Sequence, residues 1–245
     1  MKRGVVSLLL SMFLAAAAHG QSYTKMVFSN IDDNSTGWGS CTSCAGGANN
    51  ADVYWMAPFQ TTPSRDGSST QFHISAGQPY SDVLFWEKLG SQDWATQFTW
   101  DFWVYLDNAS LGAQALEYDV FQFVGGIEYM FGTQCTYATG YWNVWNQGAG
   151  AWVPTKIVCR PFTPNVWHHI IWQVHRTSDK QMHYDSLTLD GIQYSLNLAE
   201  PSGPLPLGWT DNLGVQWQLD TASSPLTFNE WIDNVKLTIR SNQGW

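Results

Sequence analysis

The chain has 245 residues, and 20 acidic residues against 11 basic ones give it a formal net charge of −9 at pH 7. This acidity argues against nucleic acid and anionic membrane surfaces as partners, because both attract cationic patches, whereas it is compatible with neutral glycans or bound cations. Aromatic residues make up 15% of the chain and include 15 tryptophans; core packing accounts for most of them, and exposed rings are a common surface for stacking on sugars.

The N-terminus has the three parts of a secretory signal peptide. A basic start precedes an apolar run from Val5 to Ala18, and small residues lie around a cleavage site before Gln21. The apolar run is shorter than the ~20 residues that cross a bilayer, which argues against a membrane anchor. We therefore expect removal of residues 1–20, which leaves residues 21–245 as a single secreted or periplasmic domain without a membrane span.

Four cysteines in an exported chain favour disulfides. Cys41 and Cys44 lie in a stretch with the composition of a loop, without the strand-to-helix context of a redox motif or a second pair with zinc-site spacing. We interpret them as a pair that staples a loop, and Cys135 and Cys159 as a bridge between two strands. The sequence leaves the connectivity open, since four cysteines allow three pairings.

Alternating apolar and polar residues predict strands along most of the mature chain, separated by loops rich in Gly, Pro, Ser and Asp. No long helical period, repeat or interior linker interrupts them. The pattern predicts one all-β domain, a two-sheet antiparallel β-sandwich. The predicted strands are Tyr23–Asn30, Asp52–Met56, Gln71–Ser75, Val83–Glu87, Gln97–Leu106, Ala115–Phe123, Ile127–Phe131, Tyr141–Asn146, Val166–Arg176, Gln181–Asp190, Leu213–Leu219 and Glu230–Ile239.

The clearest alternation runs from Gln97 to Leu106. Every second residue is apolar and faces the core, so Asp101, Trp103 and Tyr105 share the other face. An exposed Trp beside a Tyr favours a sugar-binding surface; a second layer or a long loop that covers the rings is the structural alternative.

Ala115–Phe123 alternates like a half-buried strand, and Glu117 and Asp119 share one face because they are two residues apart. Gly125-Gly126 then predicts a two-residue hairpin turn before Ile127–Phe131 resumes the strand pattern. The sequence therefore predicts a hairpin with one core face and one acidic, open face.

Two sequence resemblances point to one fold. Glu117-Tyr118-Asp119-Val120-Phe121-Gln122 resembles the Glu-x-Asp-x-(x)-Glu strand of family 16 glycoside hydrolases, which carries their nucleophile, a helper Asp and the acid/base, with Gln122 in place of the last acid. Trp167-His168-His169-Ile170, followed by Leu187–Gly191, is similar to a region of concanavalin A-like and laminin-G-like sandwiches. Both resemblances imply a jelly roll with a sugar-facing concave sheet, and they differ on whether chemistry occurs there.

The last predicted strand bears on metal binding. Asn229–Leu237 resembles the final strand of many carbohydrate-binding modules, and first and last strands are often neighbours in such jelly rolls. This resemblance implies that Asp233 lies near Asp32 and Asp33. Because carboxylates and backbone carbonyls form a hard oxygen site suited to calcium, we expect these residues to hold a structural Ca²⁺ ion and expect no other cofactor. An acidic turn and an Asp hydrogen-bonded to a loop are the alternative.

Two classes of function fit these features: a glycan-binding sandwich and a retaining glycosidase or related polysaccharide-degrading enzyme. Retaining cleavage needs two carboxyl groups ~5–5.5 Å apart. Glu117 would be the nucleophile with Asp119 as its helper, but Gln122 has no usable acidity near neutral pH. Glu128 lies roughly 20 Å away along the strand, so Glu230, brought close by the fold, is the catalytic alternative.

We therefore expect a lectin-like protein that binds an oligo- or polysaccharide without its own catalytic acid/base. Aromatic rings on the open face would stack on pyranose rings, and carboxylates would accept hydrogen bonds from hydroxyl groups. Gln122 joins this face if a β-bulge near Val120 turns it outward, and lies in the core if the strand is regular. The expected ligand-binding residues are Trp103, Tyr105, Glu117, Asp119, Gln122 and Trp145.

Overall fold

The computed structural model describes residues 23–242, which form eighteen strands and one short 3₁₀ helix, Asn108–Gly112, without an α-helix. The predicted signal peptide, residues 1–20, lies outside the described residues. No helix within the described range is long and apolar enough to cross a membrane. The strands are β1 (Tyr23–Ser29), β2 (Trp38–Cys41), β3 (Asn49–Asn50), β4 (Val53–Gln60), β5 (Ser69–Ala76), β6 (Ser81–Gly90), β7 (Gln97–Leu106), β8 (Ala113–Val124), β9 (Ile127–Phe131), β10 (Thr133–Thr136), β11 (Tyr141–Asn146), β12 (Ala151–Val158), β13 (Trp167–Arg176), β14 (Gln181–Leu189), β15 (Ile192–Pro201), β16 (Gly203–Pro204), β17 (Asn212–Thr221) and β18 (Leu226–Asn242).

Two sheets pack face to face. The eight-stranded sheet has the order β15-β14-β13-β7-β18-β5-β4, with β1 also paired to β18. The ten-stranded sheet has the order β12-β11-β10-β8-β17-β6-β2, with β3, β9 and β16 attached. Neighbouring strands are antiparallel apart from the two-residue pair of β3 with β6, so the predicted all-β, two-sheet antiparallel sandwich is confirmed.

The core between the sheets is rich in aromatic rings, and Trp217 of β17 lies at its centre. Its ring centroid is 4.8 Å from that of Trp100, 5.4 Å from Trp38, 5.6 Å from Phe102 and 5.9 Å from Phe72. These residues come from strands of both sheets, because each strand turns every second side chain inward. Much of the aromatic content of the chain therefore serves packing.

The hairpin of β8 and β9 forms as the sequence predicts. Gly125 and Gly126 have φ angles of 59° and 76°, and a type I′ turn requires positive φ at both central residues, which glycine adopts without steric cost. Phe123 pairs with Glu128 beyond the turn. This register fixes one face of β8 toward the core and the other toward the outer side of the sheet.

Both interpreted disulfides, Cys41–Cys44 and Cys135–Cys159, are present. Cys135 lies in β10, and Cys159 directly follows β12, the strand at the edge of the same sheet. The longer bridge therefore ties this edge of the ten-stranded sheet together, whereas the shorter one closes a local loop after β2.

Removal of the two bridges should cost different amounts of stability. The bonded cysteines are 24 residues apart in one bridge and 3 residues apart in the other. The loss of chain entropy in the unfolded state predicts about 3.5 kcal/mol for Cys135→Ala with Cys159→Ala and about 2 kcal/mol for Cys41→Ala with Cys44→Ala. Urea unfolding of the two double variants measures the difference, and an equal or reversed order would contradict the prediction.

Candidate functional site

The outer face of the ten-stranded sheet carries the acidic residues that the sequence predicts. Glu117 and Asp119 point away from the core, because the residues between and beside them in β8 point inward. Glu117 pairs with Gln134 of β10 on one side and with Gln218 of β17 on the other. Polar side chains therefore run across three adjacent strands, so the face is acidic as predicted, but it is not open, because Glu117 and Asp119 are 7% and 1% exposed.

Two further carboxyl groups join this face from other strands. Asp220 of β17 pairs with Asp82 of β6, and the two residues are 8% and 3% exposed. With Glu117 they line a cavity of about 320 Å³ that Ala45–Ala48 and Trp152 border. We call this feature the acidic lobe; its carboxyl groups are those of Asp82, Glu117, Asp119 and Asp220.

Burial and mutual repulsion keep protons in the acidic lobe. Burial raises the pKa of Glu117 well above its usual range, and the charges of Asp119, Asp220 and Asp82 raise it further. Burial also raises the pKa of Asp119 to about 6, although hydrogen bonds from Glu117, a backbone amide and Gln216 oppose this shift. Glu117 is therefore the protonated partner, and it donates a hydrogen bond to Asp119.

The other two carboxyl groups are also held near neutral charge. Burial raises the pKa of Asp220 to about 7, against a hydrogen bond from Gln218 Nε2 at 2.9 Å. Burial raises the pKa of Asp82 to about 6, against the amide of Gly47. Gly47 packs so closely that a Cβ atom there would lie 2.1 Å from Asp82 Oδ2. Neither carboxyl oxygen of Asp82 has a hydrogen bond of normal geometry within residues 23–242.

An aromatic groove of about 640 Å³ continues along the same face. Phe121 and Phe123 follow the two acids of β8 on the outer side, with ring centroids 4.8 Å apart. Trp209 packs edge-on against Phe123 at 5.1 Å and is 55% exposed. Gln216 lines the groove and donates from Nε2 to Asp119 Oδ2 at 2.6 Å, so it joins the groove to the acidic lobe. We call this feature the aromatic groove; its rings are Trp86, Phe121, Phe123 and Trp209.

One loop borders both the groove and the lobe. Cys41 and Cys44 line the aromatic groove, and Ala45–Ala48, which follow directly, line the acidic lobe. The loop that the Cys41–Cys44 bridge closes therefore borders both neighbouring features, which together we call the cleft.

Trp145, also predicted from the sequence, lies beside the acidic lobe. It pairs with Trp152 of β12, and the two ring centroids are 5.1 Å apart in an edge-on arrangement. Trp152 borders the cavity, and Trp145 Nε1 donates to Gln147 Oε1 at 2.5 Å. Trp145 therefore supports the ring that borders the cavity.

Trp103 and Tyr105 lie elsewhere. Both face outward from β7 in the eight-stranded sheet, on the opposite side of the sandwich. His169 stacks on Trp103 with ring centroids 4.3 Å apart, and the Arg65 guanidinium lies 3.3 Å from the same ring. His169 is on β13, whereas Arg65 binds Asp233 of β18, and these strands flank β7 on opposite sides. Both faces of the Trp103 ring are therefore covered, and the expectation that it shares a face with the acids of β8 is wrong.

Gln122 lies in the core and not on the outer face. Its Nε2 donates to the carbonyl oxygen of Gln92 at 2.9 Å and to that of Ala95 at 3.1 Å. β8 pairs in unbroken register with β17 and β9 around this position, so the bulge that would turn Gln122 outward does not form. The expected role of Gln122 in ligand binding is therefore not supported by its position.

Glu230 does not approach Glu117. It is fully buried in β18, and burial raises its pKa well above its usual range, with the hydroxyl group of Tyr118 beside it. Tyr118 and Glu117 are consecutive in β8 and point to opposite sides of the strand. The two glutamates are therefore on opposite sides of the ten-stranded sheet, which removes the catalytic pair that the sequence suggested.

Two of the three carboxyl groups expected to bind calcium lie near enough to the third, that of Asp32, to influence its charge. Burial raises the pKa of Asp32 to about 7, and the charges of Asp33 and Asp233 raise it further. Asp32 Oδ1 accepts a hydrogen bond from the amide of Val235 at 2.9 Å, and Asp233 Oδ2 accepts one from that of Arg65 at 2.5 Å. In the part of the chain that the structure describes, no three His, Cys, Asp or Glu side chains form a group that could hold a metal ion by themselves.

Sequence reasoning missed half of the cleft. Alternation along β17 places Gln216, Gln218 and Asp220 on one face, and the same period extends the acids of β8 to Phe121 and Phe123. These signals are readable in the sequence. The arrangement of β6, β17 and β8 as neighbours is not, because their pairing is set by the fold as a whole.

Comparison with known proteins supports the fold. No protein-family model and no curated protein matches the sequence. The cellulose-induced protein Cip1 is similar over 83% of this chain and 92% of its own, with 14% identity and a TM-score of 0.50. A carbohydrate esterase from the Shiga toxin-encoding bacteriophage phi24B aligns over 84% and 91%, with 13% identity and a TM-score of 0.46. Lectin II from Ulex europaeus aligns over 78% of this chain and 100% of its own, with 9% identity and a TM-score of 0.46. The similarity to Cip1 shows the fold alone, a β-sandwich.

The acidic lobe should make the protein less stable as the pH rises. Asp220 and Asp82 keep their protons up to about pH 7 and about pH 6 in the folded state, whereas an unfolded chain releases them near pH ~3.9. The folded state therefore binds more protons, and the free energy of unfolding falls between about pH 4 and about pH 7. Urea unfolding at several pH values measures this slope. Asp220→Asn should reduce it because an amide does not titrate, and Asp179→Asn, which changes an exposed turn, should not; a rising slope in the wild type would contradict the prediction.

Proposed function

We propose that the protein binds a glycan along the outer face of the ten-stranded sheet. The observation that carries the proposal is that the acidic lobe and the aromatic groove are neighbours on one face, joined by the hydrogen bond from Gln216 to Asp119. Carboxyl and amide groups in the lobe can exchange hydrogen bonds with sugar hydroxyl groups, and rings in the groove can stack on the apolar face of a pyranose. Ligand sites commonly combine such an apolar, aromatic lining with a few convergent polar groups.

Export fits this proposal. The tripartite start of the chain and the two disulfides support a secreted or periplasmic protein. Glycans of cell walls and extracellular matrices are accessible there, so the location and the proposed ligand agree.

Binding should depend on the rings of the groove and not on the other sheet. Trp209→Ala should weaken retention of a bound glycan about tenfold, in the range of a central aromatic contact, and its exposure means that the fold should persist. Trp55→Ala is the matched control, because Trp55 is 40% exposed on β4 of the eight-stranded sheet. Affinity electrophoresis against a panel of soluble polysaccharides measures retention. Loss in Trp103→Ala with Trp209→Ala unaffected would instead place the site on the eight-stranded sheet.

Acid-assisted hydrolysis is a second candidate function, and the position of Asp220 favours it. Gln218 pairs with Glu117, so Asp220 is a diagonal neighbour of Glu117, at roughly 7–8 Å. This spacing is that of the backbone positions, and two side chains on one face at this spacing can bring their carboxyl groups to the ~6.5–9.5 Å separation of inverting glycosidases. Because Glu117 holds its proton, it would be the proton donor rather than a nucleophile, and Asp220 would be the base that activates water. Reducing ends released by the wild type but not by Glu117→Gln would establish hydrolysis; no release from any bound glycan would leave binding alone.

We also propose that calcium binds beside Asp32, Asp33 and Asp233. Repulsion from Asp33 and Asp233 on the buried Asp32 carboxyl supports a cation there, and backbone carbonyls or water would complete the oxygen ligands that calcium prefers.

Calcium should therefore stabilise the folded protein. A ligand at 100 times its Kd that binds only the native state adds about 2.7 kcal/mol. Melting curves of metal-stripped protein with chelator and with millimolar calcium test this, and Asp233→Asn should abolish the difference. Identical wild-type curves would refute the site.

A further inference from the structure

We propose that the acidic lobe selects a glycan that carries a protonated amino group, such as a chain of glucosamine units. This inference rests on the proposed glycan-binding function and names the class of its ligand. The cavity of about 320 Å³ is lined by Asp82, Glu117 and Asp220, and no Lys, Arg or His side chain of the described residues lines it.

The environment of Asp82 indicates a cationic ligand. Its side chain lines the cavity, the residue is 3% exposed, and neither carboxyl oxygen has a hydrogen bond of normal geometry to another described residue. A buried carboxylate whose nearest donor is the poorly aligned amide of Gly47 is costly unless it is neutralised or better hydrogen-bonded. An ammonium group supplies three N–H donors and one positive charge, so it would satisfy Asp82 and its neighbour Asp220 together.

A metal ion fits this cavity less well than an ammonium group. Calcium takes 6–8 oxygen ligands at ~2.3–2.6 Å, which must converge on one point. In the described part of the chain, no three His, Cys, Asp or Glu side chains form a group that could hold a metal ion by themselves, and this applies to the acidic lobe as well. An ammonium group on a sugar needs only two or three acceptors, and the remaining volume can take the sugar ring.

Neutral and anionic sugars are less well matched. A neutral sugar brings no positive charge to offset the repulsion within the acidic lobe, and that repulsion contributes to the raised pKa values of Glu117 and Asp220. A uronic acid or sulfated sugar would add a further negative charge to the cavity, which disfavours its binding. The aromatic groove next to the lobe offers its rings to the apolar faces of adjoining residues of the same glycan.

Two oligosaccharides that differ only in acetylation test this selectivity. Isothermal titration calorimetry at about pH 6.5, above the pKa of about 6 of Asp82, compares the glucosamine hexasaccharide with the N-acetylglucosamine hexasaccharide. We expect the free-amino form to bind about tenfold more tightly or better, the contribution of a hydrogen bond to a charged group. This comparison uses the wild-type protein and does not depend on the folding of a variant.

Variants locate the preference within the molecule. Asp82→Asn and Asp220→Asn should each remove most of it. Asp179→Asn is the matched control, because it makes the same substitution at an exposed turn of the other sheet and should keep the preference. An equal loss in Asp179→Asn would assign the preference to net charge and overturn the inference.

The outcomes separate the two proposals. Equal affinities, or a preference for the acetylated hexasaccharide, would overturn amino-sugar selection while glycan binding stands. If neither hexasaccharide nor any neutral polysaccharide of the panel binds, the proposed function itself fails.

Discussion

Strand β17 couples the core to the cleft. It lies between β6 and β8 in the ten-stranded sheet, and Trp217 projects from it into the centre of the aromatic core. Because side chains alternate, the burial of Trp217 fixes Gln216 and Gln218 on the outer face. A slip of one residue would exchange the two sets, so the energy of the core specifies the register of the site.

The acidic lobe lowers the stability of the fold. Burial of carboxyl groups near one another costs free energy, which the raised pKa values of Asp119 and Asp220 express. Nothing in core packing requires acids there, because Asp82, Glu117 and Asp220 face away from the core. Side chains that line a cavity and lower the stability of the fold indicate a functional site. Proteins keep such side chains where a bound ligand offsets their unfavourable free energy.

The sequence predicts what lies within one strand better than what lies between strands. Regular alternation identifies β7, β8 and β13, but β15 is missed because most of its residues are at least partly exposed on both faces. The edge strand β12 contains Pro154, which a central strand would not tolerate. The same limit applies to the site. Glu117 and Asp119 follow from a period of two, whereas Asp82 and Asp220 reach them only through the order β8-β17-β6.

Outward-facing aromatic residues show a related limit. Alternation predicts that Trp103 faces away from the core, but it does not predict on which of the two outer faces the residue lies. It also gives no sign that Arg65 and His169 cover the Trp103 ring.

Gln122 explains why a motif can match in spacing and differ in geometry. In a regular strand, residues five apart point to opposite faces, so Glu117 and Gln122 cannot share the cleft unless a bulge intervenes. β8 has no bulge there, and the amide of Gln122 instead donates to two backbone carbonyls of the loop before β7. A carboxylate at this position would have no N–H group to donate to those carbonyl oxygens. It would be buried, and the carbonyl oxygens would repel its negative charge. The glutamine therefore fits a regular β8, and a second carboxyl group that acts together with Glu117 in the cleft has to come from the strands that flank β8.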